Sequence, residues 1–187
     1  MLLLSEARWP ARFSGDGSIV LLRDQDRSSW DRSLIDEGHA IVRACLRRNQ
    51  PGPYQIQAAI NAVHADAANF AATDWNQILA LYDQLLAMTP TPVVAMNRAI
   101  ALGEVQGPAA ALEVLDGLDL DDYHLFQAAR ADLLLRLGRH DEASQAYARA
   151  ATLAATDAER TFLTDHLKAM QTARRGHLGS EAGRALR

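Results

Sequence analysis

Apolar residues recur at three- and four-residue spacing over most of the chain, and proline or glycine interrupts the pattern at intervals that suit helical hairpins. The run Leu137-Gly138-Arg139-His140-Asp141-Glu142-Ala143-Ser144-Gln145-Ala146-Tyr147-Ala148-Arg149-Ala150 shows it most clearly. Leu137-Gly138 closes one helix and Asp141-Glu142 opens the next. Ala143, Tyr147 and Ala150 then share one face. Small residues on either side of a large one let a second helix approach closely while the tyrosine fills the gap, so this stretch predicts half of a packed helical hairpin.

The same pattern predicts two further hairpins. The first pairs a helix around Gln57-Ala58-Ala59-Ile60 with one carrying Trp75, Ile78, Tyr82, Leu85 and Leu86, ended by Thr89-Pro90. The second pairs Asn97-Arg98-Ala99-Ile100 with a short helix after Gly107-Pro108, whose face is Ala111, Leu112 and Leu115. The third pairs Gln127-Ala128-Ala129-Arg130 with the 137–150 run. Tyr82, Leu115 and Tyr147 mark corresponding positions 33 and 32 residues apart, whereas Gln57, Asn97 and Gln127 are 40 and 30 apart, so the hairpins are not copies. Thr156 with Glu159 forms a capping-box signature for a last helix on Phe162, Leu163, His166, Leu167 and Met170, which caps the array. Upstream, residues 9–30 are irregular, with Pro10, Gly15 and Gly17 marking loop and Ile19–Leu22 a short extended or buried segment. Ser28 with Asp31 caps a following helix whose apolar positions are Leu34, Ile35, Ile41, Val42, Cys45 and Leu46, running to Asn49 and the Pro51-Gly52-Pro53 break. Arg43, Arg47 and Arg48 lie on its other face, favourably placed near a helix C-terminus. The expectation is an all-α chain with an arm and first helix over 1–50, three irregular hairpins and a capping helix over 51–173, and a disordered glycine-containing tail over 174–187.

Composition narrows the functional classes. The 187 residues, 49% of them hydrophobic, suffice for one sizeable core or one domain with an arm. A net charge of −4 lacks the basic footprint of a protein whose main partner is nucleic acid. Lys and Arg number 8 against 7 Asp and Glu over 1–50, 5 against 12 over 51–155, and 6 against 4 over 156–187. The acidic middle is either a solvated face or a docking surface for a basic partner. Cys45 is the only cysteine, placed as a small core residue, and excludes an internal disulfide. Met1–Leu4 is too short for a secretory or membrane-spanning segment, which predicts a cytoplasmic protein with no membrane partner. An uncapped Leu-Leu-Leu start reads as the end of a helix, hence as a fragment of a longer chain.

Catalytic chemistry finds little support. The six histidines offer no i, i+4 pair for a metal, and no cysteine cluster accompanies them. His64-Ala65-Asp66 fits a loop or cap better than a base with its orienting carboxylate. Asp119, Asp121 and Asp122 lack the spacing of a calcium loop and suit N-capping of a helix beginning near Tyr123. No phosphate-binding glycine motif or nucleophile elbow is present. We therefore expect no catalytic residue, no metal and no cofactor.

Two resemblances sharpen the picture. The 137–150 run, and Tyr82-Asp83-Gln84-Leu85-Leu86-Ala87-Met88-Thr89-Pro90, resemble the tetratricopeptide repeat; the second hairpin departs from it, with leucines in place of the aromatic and the last small residue. More widely, Ala7-Arg8-Trp9-Pro10-Ala11-Arg12, Asp16-Gly17 followed by Ile19 to Ser28, Trp30-Asp31, Pro51-Gly52-Pro53-Tyr54 to Ile60, and Pro92-Val93-Val94-Ala95-Met96-Asn97-Arg98-Ala99 resemble the C-terminal extension of a bacterial group of extracytoplasmic-function sigma factors. That resemblance covers nearly all of 1–173. It implies a tetratricopeptide-like superhelix and a regulatory protein-interaction module that modulates transcription initiation by docking on the sigma domains of the same full-length protein or on RNA polymerase. DNA would be touched only by the upstream domains.

The polar cluster Arg8, Arg12, Asp16, Asp24, Gln25, Asp26, Arg27 and Asp31, punctuated by Trp9 and Trp30, is the candidate interaction site. Either Arg–Asp pairs and the two tryptophans pin the arm to the hairpins, or the cluster meets the sigma domains or polymerase with Arg27 and Trp30 as anchors. Gln57, Asn97 and Gln127, on first helices, either hydrogen-bond an extended peptide or bond a neighbouring helix. A stand-alone scaffold for a partner's peptide and a small-molecule sensor are the alternative functions.

Overall fold

The computed structural model describes residues 1–48 and 50–185, the backbone alone at 171 and over 173–185. Its helices are α1 (Leu2–Glu6), α2 (Arg32–Arg47), α3 (Pro53–Asp66), α4 (Trp75–Met88), α5 (Pro92–Gln106), α6 (Pro108–Asp116), α7 (His124–Arg136), α8 (His140–Leu153) and α9 (Asp157–Ala185), with short 3-10 turns at Trp9–Ala11 and Arg27–Ser29. The fold is all-α, and the hairpins α3–α4, α5–α6 and α7–α8 occur where the periodicity places them. The chain forms two compact units, Met1–Asp119 and Leu120–Arg187.

In the first unit the hairpins begin and end on their own sequence signals. Proline occupies the first turn of α3, α5 and α6, where its missing N–H costs nothing. Asp74 and Thr91 accept amide hydrogen bonds from Gln77 and Val94, capping α4 and α5. Gly107, at φ +93°, joins α5 to α6 without an intervening loop, a backbone angle that L-residues rarely adopt. Helix α3 separates two clusters. Ala58, Ala62 and Ala65 face the arm and α2 in one, with Leu4, Trp30, Ile35 and Val42. Ile56, Ile60 and Val63 join Ile78 and Leu85 of α4 and Val94 and Ala101 of α5 in the other. The alanine face is what allows the arm to lie close. Leu4 is fully buried, and a Cβ on Gly38 of α2 would come within 2.7 Å of its side chain, so a larger residue at 38 has no room.

The arm contains no strand; Phe13 and Ile19 form an isolated antiparallel bridge around the Asp16-Gly17 turn, and Ile19 to Leu22, expected to be extended or buried, are half-buried. Asp31 alone caps α2, accepting from the Ser33 and Leu34 amides, while Ser28 belongs to the preceding 3-10 turn. On α2 the buried positions are Ile35, Gly38 and Val42; Ile41 and Leu46 are exposed and Cys45 is half-buried rather than in the core. The narrower face follows from the alanine side of α3, which offers α2 only a thin strip to pack on. The predicted stop at Asn49 lies outside the described residues.

In the second unit, Gly138 at φ +73° ends α7: its amide donates to Leu135 O and that of Arg139 to Leu134 O, a Schellman-type closure. Ala143, Tyr147 and Ala150 are buried, as their shared face requires. Tyr123, not an aspartate, precedes α7, without a side-chain cap; Asp122 instead pairs with Arg149 of α8. Thr156 and Glu159 form the reciprocal capping box at the start of α9. The backbone of α9 remains helical to Ala185 where a disordered tail is expected; the alanine, leucine, arginine and glutamate between its glycines favour a helix. Residues 186–187 lie outside the described residues. No helix is long and apolar enough to cross a membrane among the described residues.

Candidate functional site

The aspartates of the arm are held by their own neighbours. Asp16 accepts from the Ser14 hydroxyl and the Ser18 amide, which draw its carboxyl down to about 2. Asp26 accepts from the Ser28 hydroxyl and amide, and Asp31 from the Ser33 hydroxyl and amide and the Leu34 amide; these bonds hold both carboxyls below the usual range. Each carboxylate lies two residues from a serine, the spacing at which a short acidic side chain closes a local turn. Asp24 is exposed, and the Gln25 amide donates to Val20 O. Asp16, Asp26 and Asp31 therefore close their own turns, where Arg–Asp pairs to the hairpins are expected.

Arg27 pins the arm through backbone carbonyls. Only 3% exposed, it donates from Nη1 to His64 O at 2.7 Å and Ala67 O at 3.0 Å, and from Nη2 to Thr73 Oγ1 at 3.1 Å. These acceptors close the C-terminus of α3 and the loop leading to α4. The negative end of the helix dipole and two orphan carbonyls thus take the place of a carboxylate partner. The guanidinium also lies over the Trp30 ring, 5.0 Å from its centroid, and Trp30 is 3% exposed. Arg8 lies over the same ring at 5.9 Å and donates from Nη2 to Asn61 Oδ1 at 3.2 Å. The Asp31 amide donates to Ala7 O, tying the end of α1 to the start of α2. Arg27 and Trp30 are thus fastenings inside the unit, and burial removes them from any surface a partner could reach.

His64 completes this basic interior. It sits in the last turn of α3, not in a loop, with its ring edge-on to Trp75 at 5.2 Å. Burial, then the charges of Arg8 and Arg27, push its pKa down to about 4. Burial, with Arg12 and Arg27 adding repulsion, likewise lowers that of Arg8. Between pH 6.5 and about 4 the unfolded chain takes up a proton that folded His64 refuses. The stability associated with neutral His64 is complete above pH 6.5 and is lost as pH falls toward 4. We expect the first unit to lose about 2–3 kcal/mol between pH 7 and about 4.5 through this group. Urea unfolding at both pH values, followed by tryptophan fluorescence, checks it: a His64→Gln variant should show a smaller drop, and an equal drop in both proteins would place the sensitivity elsewhere.

The exposed side of the arm is aromatic and basic. Trp9 (54% exposed) and Phe13 (41%) make an edge contact at 5.6 Å, and Arg12 lies over the Trp9 ring at 5.9 Å. Phe13 gave no sequence signal, because a single aromatic in a loop has no periodicity to set its side. Nor do Asn61 and Thr73 announce themselves as arginine acceptors, since the bonds span 53 and 46 residues. Of the first-helix amides, Gln127 is buried and donates to Asp121 O, bridging the loop before its own helix; Gln57 and Asn97 are half-buried on α3 and α5. Among the described residues no group of three His, Cys, Asp or Glu side chains is arranged to hold a metal ion.

Residues 1–46, the arm and nearly all of α2, match a family described as Family of unknown function (DUF6596). The chain is similar to Uncharacterized protein R00370 of Rhizobium meliloti (strain 1021), 44% identical over 174 residues. That alignment covers 90% of this chain and 41% of the relative, so the chain spans less than half the relative's length. No solved structure matches the chain.

Proposed function

We propose that this chain is a regulatory protein-interaction domain of an extracytoplasmic-function sigma factor, acting in the bacterial cytoplasm by docking on the sigma domains or RNA polymerase. The observation that carries this reading is a division of labour within the arm. Asp26, Arg27 and Trp30, which belong to the segments resembling that family, build a rigid fastening, while Trp9 and Arg12 of another such segment stand outward with Phe13. A rigid mount with an exposed aromatic–arginine patch has the chemistry of an interface anchor. The longer relative, of which the chain matches 41%, also agrees with a domain that accompanies others. Docking acts by favouring one state of the sigma domains, and a differential contact of about 1.4 kcal/mol changes such an equilibrium about tenfold.

The test is transcription reconstituted from RNA polymerase and the full-length polypeptide with its sigma domains. Replacing Trp9→Ala and Arg12→Glu together changes exposed side chains, so the fold should survive with an unaltered melting temperature. We expect promoter-dependent transcript to change at least about fivefold, equivalent to about 1 kcal/mol. Wild-type output from the folded double variant would exclude this patch as the docking surface.

A further inference from the structure

We infer that a groove on the first unit, with α3 as its floor and α2 and α4 as its walls, receives an amphipathic helix bearing acidic residues along its flank. This deepens the proposal of a protein-interaction domain and rests on it, but at a surface separate from the Trp9–Arg12–Phe13 patch. The groove consists of two contiguous depressions that share Leu46 of α2, Ala59 of α3 and Leu81 of α4. The larger measures about 380 Å³ and the smaller about 190 Å³. Its floor runs along α3 from Gln55 to Asp66, about 17 Å at about 1.5 Å per residue, which matches about three helical turns. Alanines at 59 and 62 keep the floor low, so the walls can grip an apolar face. Leu46, which lines both depressions, leaves 61% of its surface exposed.

Charge selects the occupant. Arg43 lines the groove, and Arg47 and Arg48 follow it at the C-terminal end of α2, outside the lining itself; all three are exposed and none has a carboxylate partner among the described residues. Asp66, the carboxylate of the lining, lies 3.5 Å from His39 Nδ1. His39 Nε2 is buried without a hydrogen-bond partner at the same wall. Gln77 and Gln84, one turn either side of Leu81, supply polar edges. An apolar trough with amide edges and an arginine rim on one wall is complementary to a helix with a leucine stripe and flanking glutamates.

The probe is a fluorescein-labelled synthetic helix of about 15 residues with leucines at i, i+3, i+4 and i+7 and flanking glutamates, compared with the same peptide carrying lysines. Anisotropy with the 187-residue protein should show the glutamate peptide binding at least about tenfold tighter, with affinity falling as salt rises. Cys45 lines the groove and is the only cysteine, so bound peptide should slow its alkylation. Arg43→Glu with Leu46→Glu alters exposed side chains and should weaken binding at least about tenfold without changing the melting temperature. No binding, equal binding of the two peptides, or undiminished binding to the double variant would each overturn the groove assignment. A transcriptional effect of the Trp9/Arg12 variant would persist in that case, which separates failure of the groove from failure of the domain's proposed role.

Discussion

Arg27→Ala should destabilise the first unit by about 3–5 kcal/mol. The guanidinium makes three hydrogen bonds, two to carbonyls that end α3 and one to Thr73. A bond to a charged group contributes about 1.5–3 kcal/mol, and a buried acceptor left unpaired costs about 1–3 kcal/mol. These contributions are not additive, because water can reach part of the space that alanine vacates. Trp30 also loses the cation above its ring. Arg27→Lys keeps the charge but not the fork, so one ammonium cannot satisfy acceptors that two guanidinium nitrogens now divide; we expect about half the loss. Asp24→Ala, on an exposed neighbour, should stay within about 0.5 kcal/mol. Urea unfolding is the measurement, and tryptophan fluorescence suits it because Trp9, Trp30 and Trp75 all lie in the first unit. A loss below about 1 kcal/mol for Arg27→Ala would mean that the α3 terminus is held by something else.

Trp30→Ala should cost a similar amount, about 3–5 kcal/mol, by opening a cavity among Leu4, Ala7, Ile35 and Ala58. Trp30→Phe should cost markedly less. The indole Nε1 is buried without a hydrogen-bond partner, so phenylalanine sacrifices volume but removes an unsatisfied donor. With Trp9 and Trp75 still reporting, the alanine variant should unfold at much lower urea than the phenylalanine variant. Equal midpoints for the two would contradict a packing role for the ring. Both this pair and Arg27→Ala have a consequence for function: a transcriptional defect in such variants would report unfolding of the unit rather than loss of a docking contact. Exposed Trp9 and Arg12 are the positions at which binding and folding can be separated.

The candidate site was legible in part. The density of arginine, aspartate and tryptophan in 8–31 marked the arm as special, and in the structure Arg27 ties it to the end of α3 over Trp30 while Asp26 and Asp31 cap their own turns. Its sidedness was not legible. Arg27 reads as a surface residue because arginine is ordinarily exposed, and only an unpaired helix end brought near it could make burial favourable.

Sequence alone determined what depends on near neighbours. Helical periodicity set the three hairpins, proline and Asp or Thr set their starts, Gly107 and Gly138 their turns, and the Thr156–Glu159 capping box the onset of α9. These features arise from bonds and side-chain rows within a few residues, so local spacing encodes them. Tertiary structure decided the rest: that Arg27 closes α3, that Trp30 turns inward and Trp9 outward, that His64 is held neutral between arginines, and that Leu46 is left over a groove. Those outcomes depend on which carbonyls, rings and alanine faces meet between elements far apart in the chain, 37 residues for the Arg27–His64 bond, a separation at which one sequence carries no register.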